Sequence, residues 1–259
     1  MARAHGNTGL SASALQLVEA AERLFATHGI EGASLRQIAA EAGSLNHSAV
    51  TYHFGTKDGL VQAIFEHRLP QIIHERRLLR SRSRPDDLRS RLEAQFLPIL
   101  MLADAPDNRY ATFVEQLQRR HPRGEFFSSL PSELQQSNDE FQDDLDRLLA
   151  DVDRRVRRVR IADAQSVSLH AAVDRETALA SGQPVLPFEV FVTCLLDGIA
   201  GYLQAPASPA AVQGLADMRR DRGIAAVPPI CRSRRRSHAA RRLWVPEIRP
   251  WVLSRDFAP

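Results

Sequence analysis

Between Gly29 and Gly43 the chain has room for one short helix, and the residues there say where it starts. Ser34-Leu35-Arg36-Gln37 fits the S-x-x-Q capping box, in which the serine hydroxyl and the glutamine side chain each satisfy a backbone donor left over at a helix N-terminus. Leu35, Ile38 and Ala39 then form its apolar face. Upstream, Leu17, Ala21, Leu24 and Phe25 recur at helical spacing from about Ser13 to His28, with Gly29 as the stop. Downstream, the pattern predicts a third short helix over roughly His47 to His53. A fourth opens at Thr56, a good N-cap, with Asp58 in the positive first turn. It continues past Leu60, Ile64 and Phe65 to Pro70, which is expected to kink or break it. Two short helices meeting at a tight turn, braced by a third, form a helix-turn-helix arrangement.

Beyond Pro85 helical periodicity predicts segments at Asp86–Ala103, Asn108–Arg120, Ser132–Arg160, Ala164–Ala180 and Pro187–Gln204, punctuated by Gly and Pro clusters. Alternating strand patterns bounded by Asn-Gly or Asp-Gly turns are missing from the sequence. The expected class is therefore all-α. Residues 1–56 read as the helix-turn-helix domain and 57–205 as a larger helical domain. Residues 206–259 read as an Arg- and Pro-rich extension with few apolar periods, expected to be poorly ordered.

Charge is spread unevenly over the 259 residues, although the net value is only +3. Residues 1–84 carry ten basic and seven acidic groups, 85–218 thirteen and twenty-one, and 219–259 eleven and three. Basic ends around an acidic middle suit a chain whose ends meet a polyanion. Lys57 is the only lysine; the preference for arginine fits codon usage in a GC-rich genome. Cys194 and Cys231 have neither metal-ligand spacing nor the look of a disulfide framework. Glu19, Glu22 and Arg23 interrupt any apolar run near the N-terminus, so no signal peptide is expected. The stretch from Val185 to Ala205 contains Glu189 and Asp197 and is too polar to span a bilayer. A cytoplasmic location without a membrane partner is the expectation. His67 and His74 share a helix face but lack a third ligand, so no metal is expected. A nucleophile elbow, a P-loop and a dinucleotide glycine fingerprint are missing too, which argues against an enzyme and against a cofactor.

From Ala20 to Leu60 the sequence reads Ala20-Ala21, Leu24-Phe25, Gly29, Ser34, Ile38-Ala39, Ala42-Gly43, Tyr52-His53-Phe54, Lys57 and Leu60. In order and spacing this resembles the DNA-binding domain of the TetR family of bacterial repressors. Two departures stand out: the stretch between Gly43 and His53 is one residue longer than the family's commonest form, and Thr51 stands where an aromatic usually sits. A recognition helix turns its N-terminal residues to base edges in the major groove. That puts Asn46, His47, Ser48 and Thr51 in front of bases and Ala49 near a thymine methyl, while Val50 faces inward onto Leu35 and Ile38. The resemblance assigns Tyr52, His53 and Lys57 to the phosphate backbone, and Ser34 can join them from the second helix. Tyr52 and His53 also fit core or structural roles, and Ser34 fits capping alone. Phe54 reads as core.

A repressor of this kind implies double-stranded DNA and a second copy of the chain as partners, on a palindromic operator. Pro187–Gln204 is the dimer candidate, with Phe188, Phe191, Val192, Leu195, Leu196, Ile199, Tyr202 and Leu203 covering much of its circumference. The resemblance adds Ala164–Ala180 as its companion. A buried core helix in a monomer fits the same residues. The resemblance also implies a small, largely apolar effector that releases the operator. Phe96, Met101, Tyr110, Phe113 and Gln116 mix apolar walls with polar groups as pockets do, and they fit plain core equally. The alternative is a regulator without an effector, controlled by a protein partner or by its own abundance. The acidic run Asp139–Asp153 reads as a solvated helix face with i,i+4 pairs. Arg232, Arg234–Arg236, Arg241 and Arg242, near Trp244 and Trp251, fit phosphate or membrane-surface binding, or an appendage with no selected role.

Overall fold

Ser11 opens the first helix, its hydroxyl accepting from the Ala14 amide, and apolar residues on several faces then bury it among its neighbours. The structure, a computed structural model, describes residues 10–44, 48–120 and 130–220, with side chains as far as 217. Every regular element among the described residues is an α-helix. In chain order these are α1 (Ala12–Gly32), α2 (Leu35–Glu41), α3 (Ala49–Phe54), α4 (Lys57–Arg82), α5 (Leu88–Ala103), α6 (Tyr110–Arg120), α7 (Ser132–Leu148), α8 (Arg154–Ala180), α9 (Phe188–Gln204) and α10 (Pro209–Arg220).

Two apolar cores organise them. The first joins Leu17, Ala21 and Phe25 of α1 to Ile38 of α2, Val50 of α3, Leu60 and Ile64 of α4, and Phe113 and Leu117 of α6. The helix-turn-helix head therefore shares a core with α4 and α6. Phe113 packs 6.4 Å from Phe25 and 5.7 Å from Phe65, ring centroid to ring centroid. Burying a side chain of this size contributes about 1.5–3 kcal/mol. The second core lies between α5, α7, α8 and α9, around Leu92, Leu100, Leu145, Ile161 and Leu196.

Local features depart from the sequence expectation: α10 (Pro209–Arg220) is helical within the extension expected to be poorly ordered, α4 runs through Pro70, and the long helix expected over Ser132–Arg160 is two. The Arg-rich segment around Arg232–Arg242, with Trp244 and Trp251, lies outside the described residues. Gly29 takes φ 72° and ψ 163°, a conformation almost reserved for glycine, and interrupts the helix there as the sequence predicts, with one more helical turn to Gly32 beyond the kink. Pro70 does not end α4, which runs on to Arg82. Removing one intrahelical donor costs about 3 kcal/mol. On either side, Leu69, Ile72 and Ile73 are buried in the first core, and Arg68 is held by Glu22 of α1 through two bonds of 2.7 and 2.8 Å.

The expected long helix Ser132–Arg160 is two helices. Arg157 folds the chain between them, donating to the carbonyls of Leu149 and Val152 at 2.7 and 3.0 Å and to Asp146 at 2.8 Å. The Asp153 carboxylate caps the new N-terminus through the Arg155 amide. The acidic run is not simply a solvated face. Asp144 pairs with Arg80 and Arg91, and Glu140 with Arg80, so the run fastens α7 to α4 and α5. The carboxylate of Glu176 on α8 is buried and caps α6, accepting from the Ala111 and Thr112 amides at 2.8 and 2.9 Å. Burial pushes its carboxyl up from the ordinary range, against the opposing pull of those hydrogen bonds.

Candidate DNA-binding site

The capping box at Ser34 is present in full. The Gln37 amide donates to Ser34 Oγ at 3.2 Å and the Ser34 amide to Gln37 Oε1 at 2.8 Å. This fixes the start of α2. Gly43, at φ 69°, then turns the chain toward α3. Val50 is fully buried in the first core with Ile38, and Leu35 packs against that core. Anchoring α3 by one face leaves Ser48, Thr51, Tyr52 and His53 exposed, and Tyr52 is 85% accessible. An aromatic that exposed is not core. Ala49 is half-buried and Phe54 packs on the edge of the core. Asn46 and His47 lie outside the described residues.

The junction of α3 and α4 is tight. Thr56 caps α4 through the Gly59 amide at 3.1 Å. A Cβ at Gly59 would sit 2.0 Å from the Phe54 carbonyl oxygen, so only glycine fits there. Lys57 Nζ donates to the Glu31 carbonyl at 2.8 Å and lies 3.9 Å from the Glu31 carboxylate. Arg120, at the end of α6, reaches the same carboxylate at 3.2 Å and Asp58 at 2.7 Å. The last turn of α1, the first of α4 and the last of α6 thus meet at one exposed charge cluster. The sequence reading missed Glu31 and Arg120 because their partners are 26 and 62 residues away. Pairs this exposed contribute about 0–1 kcal/mol each, so Lys57 can be drawn off to another anion at little cost.

The five residues read as an effector pocket do not come together. Phe96 and Tyr110 line a cavity of about 90 Å³. Phe113 is fully buried in the first core, Met101 is 49% exposed, and Gln116 lies beside Gly29.

The eight residues read as a dimer face divide in two. Val192, Leu196, Ile199 and Leu203 are buried in the chain's own second core. Phe188, Phe191 and Leu195 are half-buried, with the Arg175 guanidinium over both phenylalanine rings. Tyr202 is exposed and donates to Asp163 at 2.7 Å. Among the described residues no single helix is long and apolar enough to cross a membrane. The bent pair α9–α10 comes nearest.

Residues 17–64 match the family described as bacterial regulatory proteins, tetR family. Over 70 residues the chain is 41% identical to the HTH-type transcriptional repressor Rv3405c of Mycobacterium tuberculosis and, equally, to the HTH-type transcriptional regulator Mb3439c of Mycobacterium bovis. That match takes in 26% of this chain and 37% of each relative, so the chain spans little more than a third of the relatives it matches. Among solved structures, a putative TetR family regulator from Vibrio parahaemolyticus aligns at 21% identity and a TM-score of 0.35, covering 70% of this chain and 95% of that one. The TetR family regulator PfmR from Thermus thermophilus aligns at 17% identity and a TM-score of 0.35, covering 84% and 100%.

Proposed function

We propose that this chain, whose residues 17–64 match the tetR family of bacterial regulatory proteins, is a dimeric transcriptional repressor that leaves a palindromic operator when a small molecule binds. The observation that carries this reading is the pairing of a core-anchored α3 with an outward surface of Thr51, Tyr52 and His53, beside Lys57 at the N-terminus of α4. Short polar side chains on such a surface suit base edges. A helix N-terminus next to a cation suits phosphate, because its free amides and the cation attract the same anion.

Two such heads must enter successive major grooves about 34–36 Å apart, or multiples of that, which requires a two-fold partner. The outer face of α9 supports the pairing. Val190, Thr193, Cys194, Gly198 and Gly201 are exposed along it, and nothing lies within 4 Å of a Cβ placed on either glycine. Small side chains there let a partner helix approach closely, while Val192, Leu196, Ile199 and Leu203 hold α9 to its own subunit. Tyr202 and the half-buried Phe188, Phe191 and Leu195 form the rim. The cavity lined by Phe96 and Tyr110 favours an effector-gated regulator over one controlled only by abundance.

Selection of bound duplexes from a random pool by the full-length protein tests the reading. A recovered motif with dyad symmetry, bound by two subunits in light scattering, is the expected result. A motif without symmetry, or binding by a single chain, would overturn it.

A further inference from the structure

One buried charge, Arg76, has no ion-pair partner among the described residues. Arg76 projects from the core side of α4 one turn beyond Leu69, Ile72 and Ile73, and is 6% exposed. Its Nε donates to the Gln95 carbonyl at 3.1 Å, and its Nη1 to Ser137 Oγ and Asn138 Oδ1 at 3.2 and 3.4 Å. All three acceptors are neutral. Among the described residues no carboxylate comes within 4.0 Å of it, whereas the other buried arginines, Arg91, Arg157 and Arg175, and the half-buried Arg68 and Arg80 have acidic partners. Arg68 has Glu22, Arg80 and Arg91 have Asp144, Arg157 has Asp146, and Arg175 has Asp104. Burial pulls the Arg76 guanidinium down to about 10, so it is still charged at neutral pH. Holding an ion out of water without an opposite charge is costly, and proteins seldom do it without a use.

Arg76 lines a smaller pocket that includes Glu133, Glu140 and Asp144, none of them within 4.0 Å of it, and it is also one of the residues that line the 90 Å³ cavity. Phe65, Ile72, Phe96 and Leu169 supply apolar surface, Gln165 and Ser168 are neutral hydrogen-bonding groups, and none of the residues lining it is acidic. We propose that this cavity takes a small organic acid, with its apolar body among these side chains and its carboxylate paired with Arg76. One guanidinium balances one negative charge, and with Nε and Nη1 held by protein acceptors its Nη2 donors are the ones left for a ligand, which favours a monoanion over a phosphate dianion. The volume, below the range usual for drug-sized ligands, favours a short body. The inference rests on the effector-gated reading above and gives its effector a chemical class. It also supplies a route to the DNA. Arg76 and Lys57 are nineteen residues apart on one helix, about 28 Å at 1.5 Å per residue, so a ligand that draws on Arg76 acts on the element that carries the phosphate-facing end.

The test uses full-length protein and two matched series: hexanoate, hexan-1-ol and hexylamine; and benzoate, benzyl alcohol and benzylamine. Calorimetric titration should find at least one acid binding about 10-fold or more tightly than its alcohol, with the amine weakest. Arg76→Gln should abolish the preference, while Arg77→Gln, on the exposed side of the same turn, should keep it. If Arg76→Gln does not fold, Arg76→Met removes the unpaired charge at similar volume. It is expected to melt no lower than the parent and to lose the preference as well.

Equal binding of acid and alcohol, binding of neither acid, or an acid preference that survives in Arg76→Met would each overturn the proposal. Operator binding separates this failure from that of the parent reading. Acids that bind through Arg76 yet leave DNA affinity unchanged sink effector gating and keep the anion site. Neutral probes that release DNA as well as the acids do the reverse.

Discussion

Replacing Lys57 with alanine isolates the phosphate contact from the rest of the head. In the free protein the ammonium is held by the Glu31 carbonyl at 2.8 Å and sits 3.9 Å from a carboxylate that is 74% exposed. An interaction that open to solvent contributes about 0–1 kcal/mol, so the variant should fold and melt within a few degrees of the parent. The DNA-bound state is where the loss should appear. Each phosphate neutralised contributes about 0.9 to the slope of log affinity against log salt, through counterion release. Losing one contact therefore flattens the slope by about 0.9. The ratio of parent to variant affinity should then fall about 3.5-fold between roughly 50 and 200 mM salt. It should do so on the selected motif and on unrelated duplexes alike, because phosphates carry no sequence. Fluorescence anisotropy titrations of labelled duplexes across a salt series measure this directly. A ratio that stays constant across the series would refute the contact and leave Lys57 as a pin between α1 and α4.

Two further substitutions test how the head is held. Gly59→Ala should lower the melting temperature and weaken DNA binding, because its Cβ would meet the Phe54 carbonyl at 2.0 Å and drive α3 from α4; overpacking of this kind costs about 1–3 kcal/mol, and a rise in melting temperature, as helix propensity alone would give, would contradict it. Glu22→Gln removes the buried carboxylate that pairs with the half-buried Arg68 and should cost about 3–5 kcal/mol, whereas Glu22→Leu with Arg68→Met should recover most of that; calorimetric melting of the single and double variants decides, and additive losses would show that the pair is solvated.

The parts of this molecule legible in its sequence are those whose physics is local. The Ser34–Gln37 box, the Thr56 cap and the inward Val50 all act within a turn of themselves, and the resemblance over residues 20–60 is carried by that same segment. What was not legible depends on residues far along the chain. Pro70 looks like a stop until Glu22 and the first core hold the helix around it, and residues 149–153 look helical until Arg157 folds back on their carbonyls. On α9 periodicity sees only an apolar cylinder; the inward seam of Val192, Leu196, Ile199 and Leu203 is chosen by α5 and α8, and so the face left over is chosen by them too.

Arg76 is the instructive case, because its signal lay in plain sequence. Positions 69, 72, 73 and 76 form one helical face, three of them apolar and the fourth an arginine. In isolation that reads as the stripe running out. In the fold the stripe continues and the arginine is inside it, and the acidic residues that pair with Arg80, Arg91 and Arg157 do not reach it. Arg76 and Lys57 lie on the same helix, so a ligand bound at the first and DNA bound at the second would bias one element. Coupling between two sites requires that arrangement: a single element whose position both ligands bias, so that the operator must weaken the acid by the same factor by which the acid weakens the operator.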